Sequence, residues 1–168
     1  MALDLTEHHL IEHMVSSETI AAGGMLTVKR DQVRLPSGNI ILEKQFRYPL
    51  HQVFIELPAG KIDAGEDILV TGQRELLEET GYSAREWIKL GHQHPCIGYS
   101  NEVIYMYLAR GLTAGAHRRD DDEHLEVFEA PLADCLAMIQ HGEITDGKTI
   151  VALLFAEKYL NAIPFKHG

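Results

Sequence analysis

Apolar and polar residues along this chain alternate in stretches of two distinct periods, and the periods divide it into strands and helices. Leu5, Leu10, Ile11, Met14 and Val15 fall loosely on one side of a short helix over residues 5–15. Strand-like stretches follow at Glu18 to Ala21 and Met25 to Val33, separated by Gly23-Gly24 and closed by Leu35-Pro36-Ser37-Gly38, which predicts a small antiparallel hairpin. Ile40 to Arg47 alternates as a strand and Val53 to Leu57 makes another, after which Pro58-Ala59-Gly60 reads as a turn. A helix is expected from about Asp67, with Leu69, Gly72 and Leu76 as its core stripe and Gly81 as the left-handed residue that ends it. Glu86 to Leu90 and Glu102 to Ala109 read as strands joined by an irregular loop over 91–101. Beyond the acidic run Asp120 to Glu123 come a strand at Leu125 to Glu129 and a helix opened by Pro131 and closed at Gly142. A last helix is capped by Asp146, with Ile150, Leu153, Leu154 and Leu160 able to face the core.

These elements make two parts: an N-terminal extension over 1–38, too poor in apolar residues to stand alone, and a main domain over 39–168. At 168 residues and 45% hydrophobic content the chain can bury a sizeable core. The formal net charge of −10 sets it against nucleic acid and anionic membrane surfaces. Two cysteines, Cys96 and Cys135, with no paired spacing suit a reducing cytoplasm, and no stretch reads as a signal peptide or membrane span.

The chemistry is concentrated between Gly60 and Tyr82. Helical spacing sets Glu75, Glu78 and Glu79 at i, i+3 and i+4, so three carboxylates leave one face within about one turn. Like charges that close disfavour an isolated helix by a few tenths of a kcal/mol per pair, so the arrangement calls for a cation among them. Hard oxygen donors suit Mg²⁺, with Mn²⁺ as the other candidate. A plainer account also exists for one residue, since Arg74 could simply pair with Glu78 four positions on.

The whole stretch is similar to the Nudix box: Gly60, five residues, Glu66, seven residues, Arg74-Glu75, Leu76, Leu77, Glu78-Glu79, Thr80, Gly81, Tyr82. Around it, Glu43 to Pro49, Glu56 to Asp63, the 91–101 loop, the acidic run and Gly142 to Lys148 resemble the ADP-ribose pyrophosphatase and nucleotide-sugar diphosphatase branch of that family. The resemblance implies an α/β fold, the Nudix α/β/α sandwich with a mixed sheet, carrying a small N-terminal antiparallel β extension that packs on a partner in a homodimer. It implies metal ligands at Glu75, Glu78 and Glu79 and at the Ala59 carbonyl, with Arg74 and Glu66 orienting them. Catalytic roles fall to Glu79, Glu123 and Arg74, Glu123 serving as general base or further metal ligand. Substrate contacts fall to Arg47 at the diphosphate, to Glu56 at the nucleotide base or dimer contact, and to Ser100 and Glu102.

The activity implied is hydrolysis of a nucleoside diphosphate joined to a second moiety, ADP-ribose giving AMP and ribose 5-phosphate, with GDP-mannose or another nucleotide sugar as the alternative. Intact box glutamates argue against a non-catalytic nucleotide-sensing module, and the net charge against an RNA-end hydrolase. Two features depart from the pattern. Ile97 stands where relatives carry a second proline, and Gly38 passes almost directly into Ile40 where they insert a further strand. His92, His94, Cys96 and Trp87 read as surface or packing residues.

Overall fold

A computed structural model describes residues 38–115 and 125–162, together with the backbone of 27–34. Seven strands run β1 (Thr27–Arg34), β2 (Asn39–Arg47), β3 (Gln52–Glu56), β4 (Ala59–Lys61), β5 (Tyr82–Gln93), β6 (Val103–Ala114) and β7 (Leu125–Pro131). Three helices accompany them, α1 (Ile68–Thr80), α2 (Leu132–His141) and α3 (Gly147–Ala162). The strands form one mixed sheet in the order β3-β2-β1-β6-β5, with β4 added against β1 and β7 against β2. All pairs are antiparallel except β1 with β6, which run parallel from Thr27↔Val103 to Arg34↔Arg110.

The two faces of β2 show how the layers arise. Ile40 and Leu42 point into a cluster with Leu57, Met106, Cys135 and Leu153 that α2 and α3 cover. Ile41, one residue out of phase, joins Leu76 of α1 and Ala109 on the other side. The result is the expected α/β/α sandwich. Along α3 the buried stripe is Thr149, Ala152, Leu153 and Ala156, a helical spacing of three and four. Leu154, predicted for the core, falls between these positions and is exposed with Phe155.

Helix α1 begins and ends where its local chemistry dictates. The Asp67 carboxylate accepts the backbone N–H groups of Leu69 and Val70, at 2.8 and 3.2 Å. Gly81, at φ 75°, donates its N–H to Leu77. Asp146 caps α3 in the same way, accepting from Thr149 N at 3.0 Å.

Three expectations change. Residues 27–34, assigned to an N-terminal extension with its own hairpin, form a strand of the central sheet flanked by β6 and β4. The 38/39 boundary therefore does not separate them from the main domain. Pro58-Ala59-Gly60 is not only a turn, because Ala59–Lys61 pairs with β1. Strand β5 continues past Gly91 to Gln93, shortening the connecting loop. The expected helix at 5–15, the strand at 18–21 and Glu123 lie outside the described residues.

Candidate active site

A cavity of about 780 Å³ opens where β4, the start of α3 and the far ends of β5 and β6 meet α1. Of the residues expected at a site, Arg47, Ala59, Arg74, Glu75, Glu79 and Glu102 line it. Glu56, Glu78 and Ser100 do not.

The carboxylate side of the cavity is organised by Arg74. Its Nε and Nη2 donate to Glu66 at 3.0 and 3.1 Å, and its Nη1 lies 2.8 Å from both Glu75 and Glu78. Nη2 also donates to the Lys61 carbonyl at 3.2 Å, tying the helix to β4. Hydrogen bonds to Glu66, then to Glu78, push the guanidinium pKa further up. In return, Arg74 and the Thr71 hydroxyl hold the Glu66 carboxyl down at about 2. The like-charge crowding read from the helix is thus relieved in part from within, by the arginine preceding the first glutamate.

Glu79 is buried, and its Oε2 accepts the Ala59 N–H at 3.0 Å. Gly60 makes room for Glu75. A Cβ added at Gly60 would sit 1.8 Å from Glu75 Cδ, so any side chain there would expel the carboxylate. Among the described residues no three carboxylate, imidazole or thiolate groups converge as a ready cation cage, because Arg74 holds Glu75 and Glu78 and Ala59 N holds Glu79. The donor chemistry nevertheless fits a hard divalent cation. Glu75 and Glu79 both line the cavity, and the glycine cradle lets one of them approach the β4 backbone.

The wall also holds cations from β2 and the start of α3. Arg47 Nε and Nη2 grip Glu56 in a fork at 2.7 and 2.9 Å, and Lys148 Nζ contacts the same carboxylate. Burial works against the Arg47 charge, but hydrogen bonding and attraction to Glu56 outweigh it and raise its pKa. Lys148 also lies 3.0 Å from Asp146, and Thr149 Oγ1 accepts the Leu57 N–H at 3.2 Å. Glu56 is therefore not exposed to a nucleotide base. It is 2% exposed, beneath the cavity, with both oxygens engaged by cations that line the wall. Ser100 serves its own loop, its Oγ accepting the Glu102 N–H at 3.1 Å. Gln93, Asp146 and Lys148 are wall residues that the sequence did not single out for the site, although Lys148 closes the 142–148 stretch already noted.

A family model described as "NUDIX domain" matches residues 19–150. The chain belongs to the Nudix family. Among Nudix relatives, the ADP-ribose pyrophosphatase of Bacillus subtilis (strain 168) is 32% identical, covering 88% of this chain and 94% of its own. The GDP-mannose pyrophosphatase of Yersinia enterocolitica is 34% identical over 134 residues, 73% of this chain and 68% of its own. A crystal structure of an ADP compounds hydrolase superposes with a TM-score of 0.71 at 20% identity, over 80% of this chain and 73% of that one, and supports the Nudix fold.

Proposed function

We propose that this Nudix hydrolase cleaves the diphosphate bond of ADP-ribose, giving AMP and ribose 5-phosphate. The observation that carries the reading is that Glu75 and Glu79 of the box helix and Arg47 of β2 line one cavity. At about 780 Å³ the cavity lies within the size range of small-molecule sites. Arg47, fixed by its fork on Glu56, binds a diphosphate oxygen. Arg74 holds Glu75 at the same cavity and pairs with Glu78 beside it. Mg²⁺, or Mn²⁺ in its place, would be held by Glu75, Glu78 and Glu79 with the Ala59 carbonyl, and would polarise the diphosphate and lower the pKa of the attacking water. Oxygen of that water bonds to phosphorus as the bridging P–O bond breaks. Its proton passes to a carboxylate, for which Glu123 is the candidate.

A second reading, GDP-mannose or another nucleotide sugar as substrate, is favoured by Ile97 in the loop beside the cavity and by the Yersinia relative. We also place the protein as a homodimer in a reducing cytoplasm, with no nucleic-acid or membrane partner. The dimer rests on the family resemblance; the cysteines Cys96 and Cys135, free of any disulfide, and the charge of −10 support the rest.

The test is a panel of dinucleoside and nucleotide-sugar diphosphates assayed with Mg²⁺ and Mn²⁺, with products identified. ADP-ribose is expected to be cleaved best, and Glu79→Gln to lower kcat by orders of magnitude with the fold intact. Near wild-type turnover in that variant would remove the carboxylate assignment.

A further inference from the structure

Among the described residues the buried Nε2 of Gln93 has no hydrogen-bond partner, and Gln93 stands in the cavity wall. Buried polar donors are normally paired, and an unpaired one costs stability, so such an atom facing a binding cavity needs a reason.

Its orientation depends on one irregularity in β5. The pairing of β5 with β6 runs evenly from Tyr82↔Ala114 to Lys89↔Tyr107 and then shifts, so that Gly91, not Leu90, faces Met106. This bulge puts one extra residue into β5. Because side chains alternate across a strand, it brings Gln93 opposite Ile104, where even pairing would have set it against Val103. Ile104 is itself a cavity-lining residue. Gly91 makes the shift possible with φ 148°, a conformation that side-chain-bearing residues rarely adopt.

The sheet register also says which part of a ligand Gln93 meets. Gln93 pairs with Ile104, Ile104 with Val28, and Val28 with Lys61, one transverse row across four strands. At about 4.8 Å per strand, Gln93 lies roughly 14 Å along the sheet from Lys61, next to the Gly60 cradle of Glu75. A diphosphate seated at Glu75 is shorter than that separation, which leaves the group attached to it to span the rest.

Resting on the diphosphatase reading above, we infer that Gln93 is a specificity-determining residue, donating its Nε2–H to a neutral acceptor on the moiety beyond the diphosphate. The acceptor is a ring nitrogen, carbonyl or hydroxyl oxygen. The anionic part of the ligand is served by Arg47 and Lys148, leaving a neutral amide to read an uncharged edge.

The experiment measures kcat and KM of wild type, Gln93→Leu and Gln93→Glu on ADP-ribose, on ribose diphosphates of guanosine and inosine, and on ADP-glucose and ADP-mannose. Both variants are expected to raise KM about tenfold for the preferred substrate with kcat held, the worth of one hydrogen bond to a neutral partner. A loss that disappears when the base is changed assigns the acceptor to the base. One that disappears when the sugar is changed assigns it to the sugar. Removing an unpaired buried donor should leave the Tm of Gln93→Leu without ligand unchanged or raised, whereas a merely structural glutamine would lower it. If Gln93→Leu fails to fold, Gln93→Glu, of equal size, carries the kinetic test. Wild-type KM in the folded variants on every substrate, or a KM change matched by a fall in Tm in both, would overturn the assignment. A wild type that cleaves nothing in the panel overturns the proposed function itself, and this assignment with it.

Discussion

Replacing Glu56 with leucine tests whether the cationic wall of the cavity is built on a single buried carboxylate. Glu56 is 2% exposed and receives a two-pronged hydrogen bond from Arg47 and a contact from Lys148. Removing one partner of a buried ion pair costs about 3–5 kcal/mol, because the remaining charge is left desolvated. Two features pull the estimate toward the lower bound. The Arg47 side chain is 40% exposed and recovers water when released, and Lys148, 16% exposed, keeps Asp146 at 3.0 Å. A loss of about 3 kcal/mol follows, which for a domain of this length lowers Tm by about 6–12 °C. Glu56→Gln, which keeps one acceptor oxygen for Arg47, should fall by less. Calorimetry on the three proteins gives the Tm values, and steady-state kinetics should show KM raised in both variants as Arg47 loses its anchor. If Glu56→Leu melts within about 2 °C of wild type, the carboxylate does not hold the wall together and the reasoning fails.

Two further outcomes follow from the carboxylate side. Gly60→Ala should fold, because the clashing Glu75 carboxylate is the far end of a flexible side chain, but turnover should collapse as that carboxylate leaves the cavity; wild-type kcat would show that Glu75 needs no such approach to β4. Glu66, held at about 2 against its ordinary 4.5, adds stability that is full above pH 4.5 and lost as pH falls toward 2. Glu66→Gln should flatten the stability-versus-pH curve in that window, read by urea unfolding at successive pH values, and an unchanged slope would refute it.

What could be read from the sequence was local. The start of the box helix near Asp67, the Asp146 cap and the Gly81 terminus depend on residues within a turn of one another, and each is found as read. What escaped depends on distant partners. Thr27–Arg34 carries Lys29, Arg30 and Asp31 and reads as a peripheral strand, yet its partner in the parallel ladder begins at Val103, a pairing that no local pattern encodes. Pro58 and Gly60 disguised β4 as a turn, since a three-residue strand has no period to show. Gly91 looked like the start of a loop when it was a bulge inside β5, so Gln93 was passed over. Glu56 was read as a substrate contact because the two cations that occupy it, one of them 92 residues away, could not be paired by inspection.

That separation of 92 residues also orders events during synthesis. The box helix and its glutamates leave the ribosome well before Lys148 and Thr149, which fasten β3 and the following residue to the start of α3. At ordinary elongation rates the delay is roughly 5–20 s, during which the Arg47–Glu56 pair lacks its contact with Lys148. A nascent chain therefore presents the glutamates of the box helix before the contacts that complete the Arg47–Glu56–Lys148 wall of the cavity can form.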